Sequence, residues 1–422
     1  GHQQRSLEVG FLSITTSSEG NGGGIYVQGN CTNWGGKIQI SGSSAKKFGG
    51  GIFVYHNFIH SGGNLSISGS TANARGGGIS VHQSFTNSGG EISISGSSAK
   101  YGGGIFVNLN FEHLAGKIEV SNSSAEKNGG GMYVVQFINS GGSLSVSNSS
   151  AKDFGGCLYV EGNAVFANAM AIFSQCRAER DGGGILTPRN VNLTNSSSIF
   201  KLATAGGRGA AVLASHLEQT GGDMMVYNSS ASGEVIAVTA AWSIDGGAFQ
   251  LHHCKADGFL ITATAGATLN ASTFVVSHAS AAGMLLSSGE VTMSNGVFNQ
   301  TSSPQLRANV VKVTHLNVTG SEALLSLASE ISANESTVHD MDCDEAFGGY
   351  NRRDGIGCTQ CHPGSVFVKN ITEKTIANRS AVQHCVPCPD GARICNATTI
   401  EMLPGMMVGQ DISRGFHCPN PL

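Results

Sequence analysis

The chain has 422 residues, of which 12% are charged and 7% aromatic, and it contains 60 glycines. The formal net charge of −4 is spread along the chain, so no basic patch indicates binding to nucleic acid or to an anionic membrane. No apolar run reaches the roughly 18 to 20 residues that a membrane-spanning helix needs.

A glycine cluster followed by a short apolar run recurs along the first half of the chain. It reads GGGIYV at 22, GGGIFV at 49, GGGISV at 76, GGGIFV at 102, GGGMYV at 129, GGCLYV at 155 and GGGILT at 182. Each copy follows the previous one by 26 or 27 residues. A phosphate-binding loop would end in Lys-Ser/Thr and open a helix, whereas these clusters open strand-like segments. The clusters therefore predict tight turns in a repeat rather than a nucleotide site.

A second block keeps the same step and defines the repeat as a solenoid. It reads ISGSSA at 40, ISGSTA at 67, ISGSSA at 94 and VSNSSA at 120 and 146, and it continues in weaker form to VSHASA at 276. Its apolar and polar residues alternate with a period of two, which is typical of strands. Three short strands in every 26 or 27 residues predict an all-β parallel β-helix in which each repeat is one rung.

The block also predicts which residues point inward. Its fourth position is always small, and its sixth position is always alanine, which suits a tight corner where only a methyl group fits. The alanine column comprises Ala45, Ala72, Ala99, Ala125, Ala151, Ala178, Ala205, Ala231, Ala256 and Ala281.

The repeat resembles that of the polymorphic outer membrane proteins, which has an F-x-x-N-x-A segment followed by G-G-A-I. Ile94, Ser97, Ala99 and the GGGI at 102–105 have this order and spacing, and Phe173, Cys176 and Ala178 come closer to the family pattern. The resemblance covers about residues 10 to 300 and implies a right-handed parallel β-helix of the pectin-lyase-like group. Beyond residue 285 the period shortens, and we expect two or three shorter rungs there. Residues 1–340 are thus predicted to form about 12 to 14 rungs.

Asparagines in N-x-[ST] sequons are about twice as frequent as composition predicts. The fourteen sequons are at Asn30, Asn64, Asn122, Asn148, Asn192, Asn195, Asn228, Asn270, Asn299, Asn317, Asn334, Asn370, Asn378 and Asn396. Asn122, Asn148 and Asn228 share the third position of the ISGSSA block, which we predict to be an outward corner. We expect N-glycosylation and hence an extracellular or cell-surface protein of the eukaryotic secretory pathway.

Cysteines concentrate in a second module, predicted at residues 341–422. Two C-x-x-C pairs leave a zinc site or a disulfide framework open, and the sequons inside the module favour disulfides. The C-x-x-C-P-x-G pattern resembles ephrin-receptor-like or growth-factor-receptor-like modules, and we expect this copy to be truncated. The predicted disulfide cysteines are Cys343, Cys358, Cys361, Cys385, Cys388, Cys395 and Cys418, together with Cys157 and Cys176, which we expect to meet across neighbouring rungs.

No catalytic, cofactor or metal site is predicted. The rung acids Asp153, Asp181, Asp223, Asp245 and Asp257 are isolated, whereas polysaccharide lyases and hydrolases of this architecture need acids that converge on one groove. His252, His253 and Cys254 form the best candidate constellation, but adjacent strand residues point to opposite faces. Cys254 also fits the small inward column.

Two other hypotheses remain. The first is a structural protein that self-associates end to end into a filament or coat, because strand edges at the end of a solenoid invite further strands. The second is an adhesin that binds a carbohydrate or a receptor through a rung face. Tyr26, Phe53, Phe106, Tyr133 and Tyr159 would supply an aromatic column for sugar stacking, although the favoured explanation is that they are ordinary strand residues that pack on one another.

Overall fold

We describe the fold from a computed structural model. It covers residues 12–299, 301 and 306–315, with only the backbone at 307 and 313, and the backbone of strands at 4–11, 317–319, 330–334, 337–338, 365–367, 385–387, 392–395, 400–402, 406–408 and 415–417. Every element of these residues is a strand. The chain winds into a parallel β-solenoid whose regular part makes about 11 turns. Each turn has three faces and one corner.

The strands of the three faces belong to one sheet of 34 strands. The first face contains Ile25–Val27, Ile52–Val54, Ile79–Val81, Leu158–Val160, Ile185–Leu186, Val212–Ala214, Ile236–Val238, Phe259–Ala263, Gly283–Leu286 and Leu306–Arg307. The second face contains Phe58–His60, Phe85–Asn87, Ala164–Ala167, Asn190–Thr194, His216–Thr220, Ala241–Asp245, Val310–Thr314 and Glu330–Asn334. The third face contains Asn64–Ser68, Glu91–Ser95, Lys117–Ser121, Ser143–Ser147, Met170–Ser174, Ser197–Lys201, Asp223–Tyr227, Ala248–His252, Asn317–Thr319 and Thr337–Val338.

Some strands bend around an edge and so join two faces. Ile105–His113 and Met132–Asn139 run from the first face to the second, and Gln4–Ile14, Asn30–Ser41, Gly266–Ser277 and Glu290–Asn299 run from the second to the third. The corner that closes each turn forms a second sheet of ten short strands. They are Ser17–Ser18, Ser44–Ala45, Thr71–Ala72, Ser98–Ala99, Ser124–Ala125, Ser150–Ala151, Arg177–Ala178, Thr204–Ala205, Ser230–Ala231 and Lys255–Ala256.

The register confirms the repeat that the sequence predicts. Ile52 pairs with Ile79 and Ile79 with Ile105, so each residue stacks on the equivalent residue of the next turn. Near the C-terminal end the step falls to 20 residues, because Glu290 pairs with Val310 and Val310 with Glu330. These are the shorter rungs that we expected beyond residue 285.

The core is a set of inward columns with one residue from each turn. The largest column is a stack of phenylalanines on the second face, Phe58, Phe85, Phe111 and Phe137, whose ring centroids lie 5.1 to 5.3 Å apart. All four are at most 2% exposed. Burying one such ring stabilises the fold by roughly 1.5–3 kcal/mol.

The alanine column and the small-residue column point inward, as predicted. Nine of the ten alanines are buried, and Ala281 is partly buried against the core. The small column, which includes Ser97, Ser123, Cys176 and Cys254, is at most 1% exposed at these positions. The hydroxyls of Ser97, Ser123, Ser149 and Ser229 donate hydrogen bonds to the carbonyl oxygens two residues earlier, as Ser123 does to Ser121 at 3.1 Å, so these four buried polar groups are satisfied.

The glycine triplet lets the chain pass close to the next turn. Gly102 has φ +62°, a left-handed conformation that favours glycine. A Cβ added at Gly103 would lie 2.3 Å from the carbonyl oxygen of Gly130 and 2.3 Å from that of Ser124. The triplet is therefore an architectural requirement of the regular turns.

Three short antiparallel pairs lie in the predicted C-terminal module. They are Ser365–Phe367 with Cys385–Pro387, Ala392–Cys395 with Ile400–Met402, and Met406–Val408 with Gly415–His417. The predicted disulfide cysteines Cys343, Cys358, Cys361, Cys388 and Cys418 lie outside the described residues. Of Cys385 and Cys395 only the strand backbone is described, so the pairing of this module stays a prediction.

Candidate functional site

The N-terminal edge of the solenoid consists of strands that are paired on one side only. Among the described residues, Gln4–Ile14 pairs with Asn30–Ser41, Ser17–Ser18 with Ser44–Ala45, and Ile25–Val27 with Ile52–Val54, and none of the three has a second strand neighbour. In a parallel strand the hydrogen-bonding groups of alternate residues point to opposite sides. Half of the backbone groups of each edge strand therefore point away from the stack.

Two residues carry these outward-pointing groups at well-defined positions. The carbonyls of Thr16 and Ser18 accept hydrogen bonds from the next turn, so the N–H and C=O of Ser17 point to the open edge. The N–H of Ile25 donates to Gly51, so the backbone groups of Tyr26 point to the same edge. The Tyr26 ring stacks on Phe53 at 5.6 Å and is still 51% exposed.

The aromatic column on the first face is mostly covered by its own members. Phe106 stacks on Tyr133 at 5.0 Å, and Tyr133 stacks on Tyr159 at 4.9 Å. Ser80 interrupts the column, and the Arg75 guanidinium fills that gap at 4.8 Å from the centre of the Phe106 ring. Phe53, Phe106 and Tyr133 are at most 9% exposed, so their rings offer little surface for sugar stacking. The adhesin hypothesis itself stays a prediction.

Glu161 forms a hydrogen bond with the aromatic column near its C-terminal end. The Tyr133 hydroxyl donates a hydrogen bond to the Glu161 carboxylate. Burial, and then this hydrogen bond, raise the pKa of Tyr133, and burial raises the pKa of Tyr159. Both phenols are thus neutral donors at physiological pH.

The inward side of the second face carries a polar ladder, which is a column of buried Asn and His residues that we did not predict from the sequence. In five successive turns the second inward residue of this face is Asn33, His60, Asn87, His113 and Asn139, each 0% exposed. The Asn33 amide lies 3.0 Å from His60 Nδ1, and the Asn87 amide lies 3.1 Å from His113 Nδ1. The signal was present in FIH, FTN, FEH and FIN, whose last residues alternate between His and Asn.

Burial determines the protonation of these histidines. It lowers the pKa of His60 to about 4, against the opposing effect of backbone hydrogen bonds at Gly63 and Glu91. Burial also lowers the pKa of His113, whose Nε2 lies 3.3 Å from the Ser143 carbonyl oxygen. For His113 the Asn87 amide donates to Nδ1 and the Ser143 carbonyl accepts from Nε2, so this ring fits as the neutral Nε2–H tautomer. No charged side chain contributes to either shift.

Cys157 and Cys176 form a disulfide, with their Cα atoms 5.2 Å apart. We expected the bond to join neighbouring rungs, but the two residues begin and end the same turn. Cys157 replaces the third glycine of the triplet and Cys176 the small corner residue. At the equivalent Gly131, an added Cβ would lie 3.5 Å from Ser149 Oγ, which shows why two cysteines at these positions meet.

Cys31 and Cys254 are buried free thiols. Burial raises the pKa of Cys31 to about 11 and that of Cys254 to about 12, so neither thiol is ionised at neutral pH. Cys254 fills the small inward column, as predicted.

The histidines beside Cys254 differ from our expectation, because His252 and His253 both lie on the outside. His253 has φ +53° at the corner, which breaks the alternation of a strand. Its ring stacks on that of His278, with the two ring centroids 4.6 Å apart. His252 Nδ1 lies 2.6 Å from Ser277 Oγ. Burial, and then the neighbouring His253 and His278, lower the pKa of His252.

No metal-binding cluster of three or more His, Cys, Asp or Glu occurs among the described residues. Two of the rung aspartates have partners within the fold: Asp153 pairs with Lys127 at 3.1 Å, and Asp181 accepts a hydrogen bond from the backbone N–H of Arg208 at 2.7 Å. The described part also contains no helix that is long and apolar enough to cross a membrane.

The sequon asparagines of the corner occupy one exposed column. Asn122, Asn148 and Asn228 have φ between 45° and 51°, and all three side chains are exposed. The Asn148 amide donates to Asn122 Oδ1 at 2.5 Å, so these two side chains are close neighbours on adjacent turns.

The other predicted glycosylation sites are scattered over the surface. Asn64, Asn195 and Asn270 are exposed, and Asn30, Asn192 and Asn299 are partly buried. Of Asn317 and Asn334 only the strand backbone is described, and Asn370, Asn378 and Asn396 lie outside the described residues. Glycosylation stays a prediction at all of them.

A groove follows the corner over five turns. It encloses about 790 Å³, and its lining includes Ser98, Ser124 and Ser150 of the corner strands. Charged residues that directly follow the inward alanines also line it: Lys100, Glu126, Lys152 and Glu179. We did not identify this groove from the sequence, although the alternating charge after Ala99, Ala125, Ala151 and Ala178 was visible there.

A scan against protein-family models and searches of curated proteins and of solved structures found no match to this chain. The parallel β-solenoid is thus established by the structure, while the two family likenesses remain resemblances of sequence pattern.

Proposed function

We propose that the chain is a secreted, N-glycosylated, non-enzymatic structural protein whose solenoids join end to end into an extracellular filament or surface coat. The observation that carries this proposal is the parallel register, in which each described turn pairs residue for residue with the next and the first described turn offers the same backbone pattern to a further turn. Turns stacked roughly 4.8 Å apart make the regular part a rod about 50 Å long. A strand added at its edge would extend the same ladders.

The chemistry of the edge suits the addition of a further turn. Charges and prolines commonly protect natural edge strands. Gln4–Ile14 includes Arg5 and Glu8, but the other two edge strands, Ser17–Ser18 and Ile25–Val27, contain no charged residue. The half-exposed Tyr26 ring is the open end of a stacked column, so an incoming ring or apolar side chain would continue that column.

An experiment on the edge tests the proposal directly. Proline at positions 17 and 26 removes two N–H donors that point outward, and it leaves the bonds to the next turn in place. We expect wild-type protein to form elongated assemblies by light scattering and electron microscopy, and Ser17→Pro with Tyr26→Pro to remain single rods. The matched control is Ser17→Ala with Tyr26→Ala, which keeps both donors and should still assemble.

Two outcomes would contradict end-to-end assembly. One is wild-type protein that stays monomeric and shows no fibres. The other is a proline variant that assembles as well as its alanine control while retaining the wild-type circular dichroism spectrum.

The secretory part of the proposal rests on the exposed sequons and has its own test. We expect the intact mass of protein from a eukaryotic secretory host to fall on enzymatic removal of N-linked glycans, with Asn122, Asn148 or Asn228 converted to Asp at released sites. An unchanged mass would contradict it.

A further inference from the structure

Four exposed charged residues follow the inward alanines of four successive turns. Lys100, Glu126, Lys152 and Glu179 line the same corner groove and are all exposed. Their backbones are stacked in register, because Glu126 N–H donates to Ala99 and Lys152 N–H donates to Ala125. The column thus carries charges of +, −, + and − at steps of roughly 4.8 Å.

These charges are not neutralised within the described part of the chain. A lysine side chain at this corner is long enough to form an ion pair with the following turn. Lys127, which follows Glu126, pairs with Asp153 of the following turn at 3.1 Å. None of the four groove residues forms such an ion pair among the described residues. Lys100 Nζ lies instead 5.8 Å from the centre of the Tyr101 ring.

The order of the charges is complementary to itself. A two-fold axis between the turns of Glu126 and Lys152 would bring a second copy against the first in antiparallel orientation. Lys100 of each copy would then face Glu179 of the other, and Glu126 would face Lys152. An isologous interface has this property, because the same patch serves both partners. Two copies in parallel and in register would instead oppose like charges.

The rest of the groove lining fits the same arrangement. Arg177 is the one further charged residue of the lining, and it occupies the corner-strand position that Ser98, Ser124 and Ser150 occupy in the preceding turns. The two-fold operation places its guanidinium opposite the Ser98 hydroxyl, which can accept a hydrogen bond from it.

We propose that the corner groove is a lateral pairing surface for a second, antiparallel copy of this chain. This contact uses the side of the rod and not its end, so it is independent of end-to-end assembly. It would turn single rods or filaments into pairs. Because the charged groups are exposed, the contact is weak for one rod and sensitive to salt.

The test is a charge swap in two matched variants. Lys100→Glu with Lys152→Glu makes the column wholly negative, and Glu126→Lys with Glu179→Lys makes it wholly positive. All proteins carry Ser17→Pro and Tyr26→Pro to block the ends, and they are made in a host that adds no N-linked glycans, so that none covers the groove. Sedimentation velocity at about 50 mM salt then reports pairing.

We expect the parent protein to dimerise, neither variant to dimerise alone, and the 1:1 mixture to form heterodimers. Raising the salt to about 300 mM should weaken the parent dimer at least about tenfold. The matched control is Lys117→Glu with Arg189→Glu. It changes the net charge by the same amount as Lys100→Glu with Lys152→Glu, but outside the groove, and it should still dimerise.

Three outcomes would overturn the proposal. The first is a parent protein that stays monomeric at high concentration and low salt. The second is dimerisation of both charge variants to the same extent as the parent. The third is a 1:1 mixture of the variants that does not form heterodimers. Because the end-blocking substitutions are present in every sample, none of these results bears on end-to-end assembly.

Discussion

The turns before Cys157 and the turns after it differ at the same two positions of the repeat. Before it, the second inward residue of the second face is Asn or His; after it, this residue is Phe166, Leu193, Gln219, Ile244 and then Leu269. The close approach after the corner is made by glycines before Cys157 and again by Gly183 and Gly184 one turn later; from the following turn Ala210 and Ala211 occupy this position and are 0% exposed. One backbone plan therefore accommodates two kinds of interior.

Turn length accounts for the second difference. Ile105 pairs with Met132, 27 residues later, whereas Val212 pairs with Ile236, 24 residues later. The shorter connection above Ala210 leaves room for a methyl group that the connection above Gly103 does not. The requirement for glycine thus belongs to the length of the neighbouring turn and not to the solenoid as such.

We expect the largest loss of stability from a substitution at Gly103, in the early turns. Gly103→Ala places a Cβ 2.3 Å from two carbonyl oxygens, so we expect a loss of about 3–5 kcal/mol in the free energy of unfolding. Ala210→Gly, the reverse change in the later turns, should cost only about 1 kcal/mol through backbone entropy. Urea unfolding of both variants measures the difference, and equal losses would contradict the turn-length explanation.

Acid should act on the early turns through the Asn/His ladder. The folded-state pKa of His60 is lowered from 6.5 to about 4, so the stabilisation is complete above about pH 6.5 and is lost as the pH falls toward 4. The loss for His60 amounts to roughly 3 kcal/mol at pH 4, and His113 adds to it in the same direction.

The matched variant for this test is His60→Asn with His113→Asn, which keeps a polar ladder without titrating rings. Unfolding is followed at pH 7, 5.5 and 4, and the variant should lose less stability than the wild type over this interval. Parallel curves would show that the surface carboxylates, and not the ladder, govern the acid sensitivity.

The boundary between the two regions is the turn that contains the disulfide. Cys157→Gly with Cys176→Ser restores the glycine and serine of the other turns, so only the cross-link is lost. Closing a loop of this length predicts a loss of about 2–3 kcal/mol. Thermal unfolding of the wild type with a reductant should match that of the variant, and a variant as stable as the oxidised wild type would contradict a stabilising role.

Much of the fold was predictable because the repeat is read directly from glycine and alanine spacing. The inward alanines, the close passage at Gly103 and the shorter C-terminal turns all followed from that spacing. The choice of residue inside a turn was harder. His60 and Asn87 stand in blocks that we recognised, but their pairing requires knowing that both point inward and lie one turn apart.

The site was less predictable than the fold because its chemistry lies between turns. The alternation of Lys100 and Glu126 has meaning only when residues 26 positions apart become neighbours. His252 and His253 were misplaced for a related reason: the left-handed corner at His253 interrupts the strand pattern, and histidine is not a residue that signals such a corner as glycine does.

The exposed left-handed corner makes the surface easy to change by evolution or design. Gly42, Gly69 and Gly96 hold this position in the early turns, and a serine or threonine of the next corner strand stands two residues after each of them. A single Gly→Asn substitution at any of the three would therefore create a new acceptor sequence for glycans without altering a core residue. The repeat carries a row of latent attachment points, one for each turn, and Asn122 and Asn148 show two of them already in use as sequons.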